Sequence, residues 1–207
     1  MNNPFANAHR VKFDLIRRFG YIAAAGDRHL AEFCPPEWYL ASPECVEEFR
    51  FGLTAVAWRK EDLKNKLEKS ARLVSGEEVF VFEETGEDGV NQIRALLGLH
   101  SFVTNVNIPN VGQIPNLPAG AVVETNAVFS ADSVRPVFAG DVPAEIYPLI
   151  SRVCGVQEMV SEAAAERNLE KAFRAFMLQV DLPIKEARAL FDKMIENTKS
   201  YLTSYGV

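Results

Sequence analysis

The stretch from Asn105 to Pro118 contains four asparagines, three prolines and one glycine between two runs of apolar and β-branched residues. Because proline removes backbone freedom, this composition predicts a stiff connection between two strands. Asparagine amides both donate and accept hydrogen bonds. The segment is therefore either a proline-stiffened turn or a preformed surface for a polyhydroxylated ligand.

Three segments carry the β-branched residues that are typical of strands, over 102–107, 121–129 and 134–139. From Pro143 onward the apolar residues recur at helical spacing, and Asn168 and Asp181-Leu-Pro183 interrupt them. Strands accompanied by long helices predict an α+β fold with a small mixed or antiparallel sheet.

The N-terminal half is predicted to be mostly helical. Apolar spacing predicts a helix over 7–19 that ends at Gly20, followed by a turn or helix start at 26–29. Ser42-Pro43 is expected to start a long charged helix that reaches about Leu73. A strand over 78–82 and a helix from a capping box at Thr85-x-x-Asp88 to about Leu97 complete this half.

Charge and composition exclude several classes of protein. No apolar run approaches the roughly 18 residues of a membrane span, and residues 1–10 are polar rather than signal-like. The net charge of −6 argues against a nucleic-acid surface, so Arg17-Arg18 is read as a solvated helix face.

Three cysteines without CxxC or Cys/His spacing indicate reduced thiols rather than disulfides or zinc. We expect a cytoplasmic protein.

The twelve glycines contain no G-x-G-x-x-G arrangement. This arrangement holds the pyrophosphate of a dinucleotide at the start of a Rossmann fold. The sequence therefore predicts that a Rossmann domain is absent and that the chain alone binds no NAD.

A second segment, from Arg17 to Phe33, contains Gly-Tyr-Ile-Ala-Ala-Ala-Gly-Asp-Arg-His. Together with the loop over 107–118 and with Val156-Gln157-Glu158, it resembles the family 4 glycoside hydrolases, and its Ala-Gly-Asp-Arg-His version resembles their α-galacturonidase and α-glucosidase-like branch. The resemblance runs from about Asn3 to Phe191 and covers only the C-terminal half of such an enzyme. It implies one domain over 1–207, similar to the C-terminal domain of lactate and malate dehydrogenases.

The resemblance also implies a redox route to glycoside cleavage rather than the usual pair of carboxylates. NAD oxidises the sugar C3 hydroxyl, a base removes the C2 proton, the C1 substituent is eliminated, water adds, and NADH restores C3. A divalent metal, typically manganese, stabilises the enolate. In the family the NAD and metal sites lie in the preceding half, so we expect this chain alone to hold neither. The implied partners are a sugar or uronide substrate and the missing NAD-binding domain.

Carried onto this sequence, the resemblance implies that Asp27 or Tyr21 is the base that removes the C2 proton. It also implies that His29 forms a hydrogen bond to the substrate or transfers a proton. A carboxylate can act as a base at neutral pH without much tuning, which favours Asp27. Arg28 is expected to bind a C6 carboxylate, since a guanidinium matches a carboxylate bidentately. Without the resemblance, Asp27 and Arg28 are read as a helix N-cap and a surface pair.

In the asparagine-rich loop, Asn107, Asn110 and Asn116 are expected to shape or contact the sugar pocket, ahead of Gln113. Two functions remain open. The chain is either the catalytic half of an NAD- and metal-dependent glycosidase, or an orphan or truncated domain that serves assembly or sugar binding. A Gly-rich βαβ segment directly upstream would favour the first function. The apolar late helices, with the family's dimers and tetramers, predict that the chain associates with itself.

Overall fold

The computed structural model describes residues 5–83 and 86–206. The chain divides into two compact units, Met1–Val90 and Asn91–Val207. Helices accompany a three-stranded antiparallel sheet in the described ranges, so the predicted α+β class is confirmed. Within those ranges, no helix combines the length and the hydropathy needed to cross a bilayer.

The first unit is built from five helices in the described residues. They are α1 (Arg10–Phe19), α2 (Asp27–Phe33), α3 (Pro36–Tyr39), α4 (Pro43–Phe49) and α5 (Val56–Ser75). Gly20 ends α1 in the left-handed conformation, with φ of 80°, and its N–H donates to the carbonyl of Ile16, as its glycine predicts. Val11 and Leu15 of α1 pack into one apolar core with residues of α2 to α4 and with Phe51.

The predicted helix from Ser42 to about Leu73 is wrong in one respect. Ser42 caps α4 by accepting the N–H of Cys45 at 3.3 Å, and Pro43 is the first helical residue. The helix then ends at Arg50, which is left-handed with φ of 54°. Phe51 pairs instead with Asn7 in an isolated antiparallel bridge. Two helices, α4 and α5, therefore replace the single predicted one.

The predicted strand over 78–82 is also wrong. Residues 79–83 have no regular structure, and no strand pairs with them in the described ranges. An isolated strand leaves its backbone groups without partners. Thr85, the first residue of the predicted capping box, lies outside the described residues.

The second unit begins within α6 and continues into the sheet. Its elements are α6 (Gly89–Leu96), β1 (Phe102–Pro109), β2 (Val122–Ser130), β3 (Ser133–Pro136), α7 (Tyr147–Glu166), α8 (Leu169–Met177) and α9 (Ile184–Thr198), followed by 3-10 turns at Lys199–Tyr201 and Thr203–Tyr205. The strands agree with the three predicted segments. Asn168 caps α8 and Pro183 precedes α9, so both predicted interruptions mark helix starts.

The two faces of the sheet differ in polarity. Phe102 pairs with Phe129 and Thr104 with Ala127 on the face that packs on Ala95 of α6. Because side chains alternate along a strand, the intervening pairs lie on the opposite face, where most of their residues are exposed. Those pairs include Asn105 with Asn126 and Asn107 with Glu124. We call these four residues the polar face of the sheet.

Candidate functional site

Asp27, the first residue of α2, is completely buried. Its Oδ2 accepts a hydrogen bond from the backbone N–H of Arg10 at 2.8 Å, and its Oδ1 accepts one from the N–H of Lys12 at 3.1 Å. Arg10 and Lys12 belong to the first turn of α1, whose N–H groups have no partners within the helix. The carboxylate of Asp27 therefore caps α1 from a neighbouring helix.

The local sequence explains why α1 needs this cap. Its own N-cap residue is His9, which is left-handed with φ of 56° and makes no side-chain capping bond. Gly26 allows the close approach of α2, because a Cβ at this position would lie 3.1 Å from the Asn7 side-chain nitrogen. The Gly-Asp pair at 26–27 thus brings the start of α2 against the start of α1.

Arg28 and His29 follow Asp27 at the start of α2. Arg28 is half-buried, and its Nη1 donates to the hydroxyl of Thr54. Its Nη2 lies 3.5 Å from the Nε2 of His29, and the Nδ1 of His29 lies 3.2 Å from a carboxylate oxygen of Glu32. Tyr21 is 44% exposed. Of the two candidate bases, Tyr21 is accessible to solvent and Asp27 is enclosed.

A buried acid that the motif analysis missed lies on α1. Asp14 is buried and accepts hydrogen bonds from Arg18 at 2.6 Å, from Arg17 at 2.6 Å and from the hydroxyl of Tyr39 at 3.0 Å. The bond from Arg18 is the largest cause that lowers the pKa of Asp14 from 3.8 to about 2, and the bonds from Arg17 and Tyr39 act in the same direction against burial. Burial raises the pKa of Tyr39.

The spacing of Asp14, Arg17 and Arg18 is the sequence signal for this cluster, because residues three and four apart share one helix face. Arg17 and Arg18 are exposed, as expected, but both form ion pairs with Asp14. Tyr39, 25 residues away along the chain, could not be placed by spacing.

Two open cavities surround the Asp14 cluster. One, of about 410 Å³, is lined by charged residues that include Arg10 and Glu48, and the other, of about 440 Å³, has aromatic walls that include Trp38. The Trp38 ring stacks on Phe19 with a centroid separation of 6.0 Å. Aromatic walls beside guanidinium groups can hold a ligand that has both an apolar face and a negative group.

In the second unit, Asn110 is the centre of the asparagine-rich loop. Its side chain is buried, and its Nδ2 donates to the carbonyls of Ile114, Leu117 and Pro118 at 2.9 to 3.1 Å. Its Oδ1 accepts the N–H groups of Gly112 and Ile114 at 3.2 Å. One amide thus ties the loop together, which explains how three prolines and a glycine adopt a single conformation.

The other amides of this region have different environments. Gln113 is buried, and its side chain accepts a hydrogen bond from the N–H of Val111 and donates one to the carbonyl of Pro109. The Asn116 amide accepts a hydrogen bond from the N–H of Val142 and donates one to its carbonyl, both at 2.9 Å. Asn116 also borders an open cavity of about 480 Å³. Asn107 is exposed on the polar face of the sheet. The side chains of Asn110, Gln113 and Asn116 therefore form hydrogen bonds to backbone groups, whereas Asn107 faces solvent.

A metal site among the described residues, 5–83 and 86–206, would need several coordinating side chains close together. No group of three or more His, Cys, Asp or Glu side chains lies close enough in these ranges to hold an ion. Cys34, Cys45 and Cys154 form no disulfide among the described residues.

Comparisons with known proteins place these features in a family context. Residues 1–180 match the family model of the family 4 glycosyl hydrolase C-terminal domain. The chain is 55% identical to an alpha-galacturonidase of Thermoanaerobacterium saccharolyticum, across 100% of this chain and 45% of that protein. It thus spans less than half the length of this relative.

Solved structures give the same result for the fold. The crystal structure of the glucosidase-like protein lplD from Bacillus subtilis is 42% identical, with a TM-score of 0.85 over 93% of this chain and 44% of that one. A 6-phospho-alpha-glucosidase from gut microorganisms, solved in complex with NAD and glucose-6-phosphate, is 25% identical, with a TM-score of 0.60 over 81% of this chain and 39% of that one.

Proposed function

We propose that this chain, which belongs to family 4 of the glycosyl hydrolases, forms the C-terminal part of an enzyme that cleaves α-galacturonides. The observation that carries the proposal is the 55% identity to an alpha-galacturonidase over the whole chain. The relative solved with glucose-6-phosphate is much less similar, at 25% identity. A uronide is therefore favoured over a phosphorylated sugar as the substrate.

NAD and a divalent metal, which the family resemblance implies, are assigned to the part of the enzyme outside this chain. The sequence has no G-x-G-x-x-G turn, and the described residues form no cluster that would hold a metal. NAD accompanies the sugar phosphate in the gut-microorganism relative, which supports the cofactor for the complete enzyme. The described residues therefore do not fit the metal, and the roles proposed for them concern substrate recognition and proton transfer.

Arg28 is proposed to recognise the C6 carboxylate of the uronide. Its guanidinium is half-buried and held by Thr54, so it is oriented before a ligand arrives. Orientation in advance reduces the entropy lost on binding. A charge-assisted pair with a carboxylate is worth roughly 1.5–3 kcal/mol, which is enough to separate a uronide from a neutral hexoside.

The proton-abstracting base is proposed to be Asp27 or Tyr21, and the two candidates make different demands. Asp27 is completely buried, so its carboxylate would have to become accessible before it could reach a substrate proton. Tyr21 is already accessible. Turnover and stability separate the two. Tyr21→Phe removes turnover without unfolding the protein if Tyr21 is the base, whereas Asp27→Asn lowers stability whichever residue is the base.

The experiment that tests the proposal joins this chain to the N-terminal part of the Thermoanaerobacterium alpha-galacturonidase, which the chain itself does not cover. We expect the joined protein, supplied with NAD and Mn²⁺, to release galacturonate from an aryl α-galacturonide. The isolated chain is the control and should show no turnover. A joined protein that is folded and binds NAD but cleaves no α-galacturonide would favour a non-catalytic domain instead.

A further inference from the structure

The imidazole of His29 lies between a carboxylate and a guanidinium. Its Nδ1 lies 3.2 Å from Oε2 of Glu32, one turn further along α2. Its Nε2 lies 3.5 Å from Nη2 of Arg28, the preceding residue. Each neighbour can play only one part in a hydrogen bond, because an ionised carboxylate only accepts and a guanidinium only donates.

The two neighbours of the ring require the same position of its proton. Because Glu32 can only accept, Nδ1 of His29 must carry the proton. Because Arg28 can only donate, Nε2 must keep its lone pair. One form of the neutral ring satisfies both conditions, the tautomer that is protonated on Nδ1. A ring protonated on Nε2 alone would lose both bonds, and a doubly protonated ring would turn a positive charge towards Arg28.

The bond at Nε2 concerns the guanidinium that is proposed to recognise the substrate carboxylate. Nη1 of Arg28 donates to the hydroxyl of Thr54, which lies just before α5, and Nη2 faces His29. The two terminal nitrogens are therefore held by acceptors from separate segments. Each terminal nitrogen carries two N–H groups, so these two bonds do not use up the donors of the guanidinium. A planar guanidinium held at both ends is restricted in orientation before a ligand arrives.

We propose that Glu32 and His29 are positioning residues for Arg28. Glu32 fixes the Nδ1-protonated form of His29, and Nε2 of that ring then orients the guanidinium. This inference rests on the proposed recognition of a uronide by Arg28. It also separates the two roles expected for His29. In this tautomer the nitrogen that faces Arg28 has no proton to give, so the ring serves as a hydrogen-bond acceptor rather than as a proton donor.

The position of the proton can be measured on the isolated chain, without any enzymatic activity. Nitrogen-15 NMR at pH 8.5 distinguishes a protonated from an unprotonated ring nitrogen. The chain has three histidines, and His29→Gln identifies the signals of His29 by their loss. We expect a proton on Nδ1 and none on Nε2. A proton on Nε2, alone or together with one on Nδ1, would overturn the proposal.

The same measurement tests the part played by Glu32. Glu32→Ala should move part of the proton population to Nε2, because the acceptor that holds the proton on Nδ1 is gone. Glu37→Ala is the matched control, since it removes an exposed acid from the next helix, and it should leave the His29 signals unchanged. An unchanged proton position in Glu32→Ala would contradict the role of Glu32.

The joined enzyme tests the effect on recognition. His29→Ala and Glu32→Ala should each lower kcat/KM for the aryl α-galacturonide more than for the neutral α-galactoside. Because the His29 and Glu32 side chains are half exposed, we expect the ratio of the two values to fall by about threefold. In an Arg28→Ala background neither substitution should lower the ratio further, since both act through Arg28. Equal losses on the two substrates would assign His29 to proton transfer and overturn the positioning role.

Failure of the proposed function gives a different result. A joined enzyme that is folded but inactive, or whose ratio does not respond to Arg28→Ala, would contradict the recognition of a uronide by Arg28. The NMR measurement on the isolated chain does not depend on that outcome, so it decides the proton position of His29 in either case.

Discussion

Asp27 caps the helix that begins at Arg10, through a hydrogen bond of 2.8 Å from the Arg10 N–H to the Asp27 carboxylate. The two residues are 17 positions apart in the sequence, so a residue at the start of α2 caps the start of α1. The same carboxylate is a candidate catalytic base. A helix cap and a base make different predictions for the isolated chain, because only the cap affects its stability.

The first prediction concerns this cap. Asp27→Ala should lower the free energy of unfolding of the isolated chain by about 2 kcal/mol, since two N–H groups of α1 lose their acceptor. Asp27→Asn should also destabilise the chain, because its amide keeps one acceptor oxygen but turns an NH2 group towards an N–H donor of α1. Urea unfolding measures both changes. Glu47→Ala, which removes an exposed acid of α4, is the control and should change stability little. Equal stability of Asp27→Ala and the unsubstituted chain would contradict the capping role.

The second prediction concerns the pH dependence of stability. The pKa of Asp14 is lowered to about 2 in the folded chain, so its contribution is present above the unfolded value of 3.8 and is lost as the pH falls towards 2. The contribution is about 2 kcal/mol. Urea unfolding at pH 5 and pH 2.5 should therefore show a larger loss for the unsubstituted chain than for Asp14→Asn. The exposed Asp181→Asn should behave like the unsubstituted chain. Identical losses for Asp14→Asn and the unsubstituted chain would contradict the assignment.

The third prediction concerns the asparagine-rich loop. Asn110→Asp should destabilise the chain more than Asn110→Ala, because the new carboxylate oxygen would face the three carbonyls that the amide now donates to. We expect losses of about 2 kcal/mol for Ala and more for Asp. Thermal unfolding compares them with Asn107→Asp, on the exposed face, which should be close to neutral. A milder effect of Asp than of Ala at Asn110 would reverse the proposed direction of its hydrogen bonds.

Much of the fold was predictable because its signals are local. β-Branched runs bounded by turns marked β1 to β3, and Ser42-Pro43 marked the start of α4. The end of α4 was not predictable, because it depends on a left-handed Arg50 and on the bridge between Phe51 and Asn7. These residues meet only after the chain has folded.

The candidate site shows the same division. The motif at 26–29 was recognised from sequence, but its contact with the first turn of α1 was not, since no spacing rule relates Asp27 to Arg10. Asparagine content drew attention to the loop over 105–118. It could not show that Asn110 bonds backbone while Asn107 faces solvent, because that difference depends on which face of β1 each residue follows.

The fourth prediction concerns substrate recognition by the joined enzyme. Arg28→Lys and Arg28→Ala should lower kcat/KM for an aryl α-galacturonide by about tenfold or more, because a lost charge-assisted pair exceeds 1.4 kcal/mol. Both variants should change kcat/KM for the neutral α-galactoside much less. Arg167→Ala is the control, because it removes one exposed cation of the second unit, and it should change neither kcat/KM much. Equal losses on the two substrates would assign Arg28 to scaffolding or to a step that both substrates share.

The most direct test of the proposed function is the ratio of kcat/KM for the aryl α-galacturonide to kcat/KM for the matching α-galactoside, measured on the joined enzyme with NAD and Mn²⁺. Both substrates share the leaving group and the sugar configuration, so the ratio isolates recognition of the C6 carboxylate. We predict a ratio of about ten or more in favour of the acid. A ratio near one, or a preference for the neutral sugar, would contradict the assignment of this chain to an α-galacturonidase.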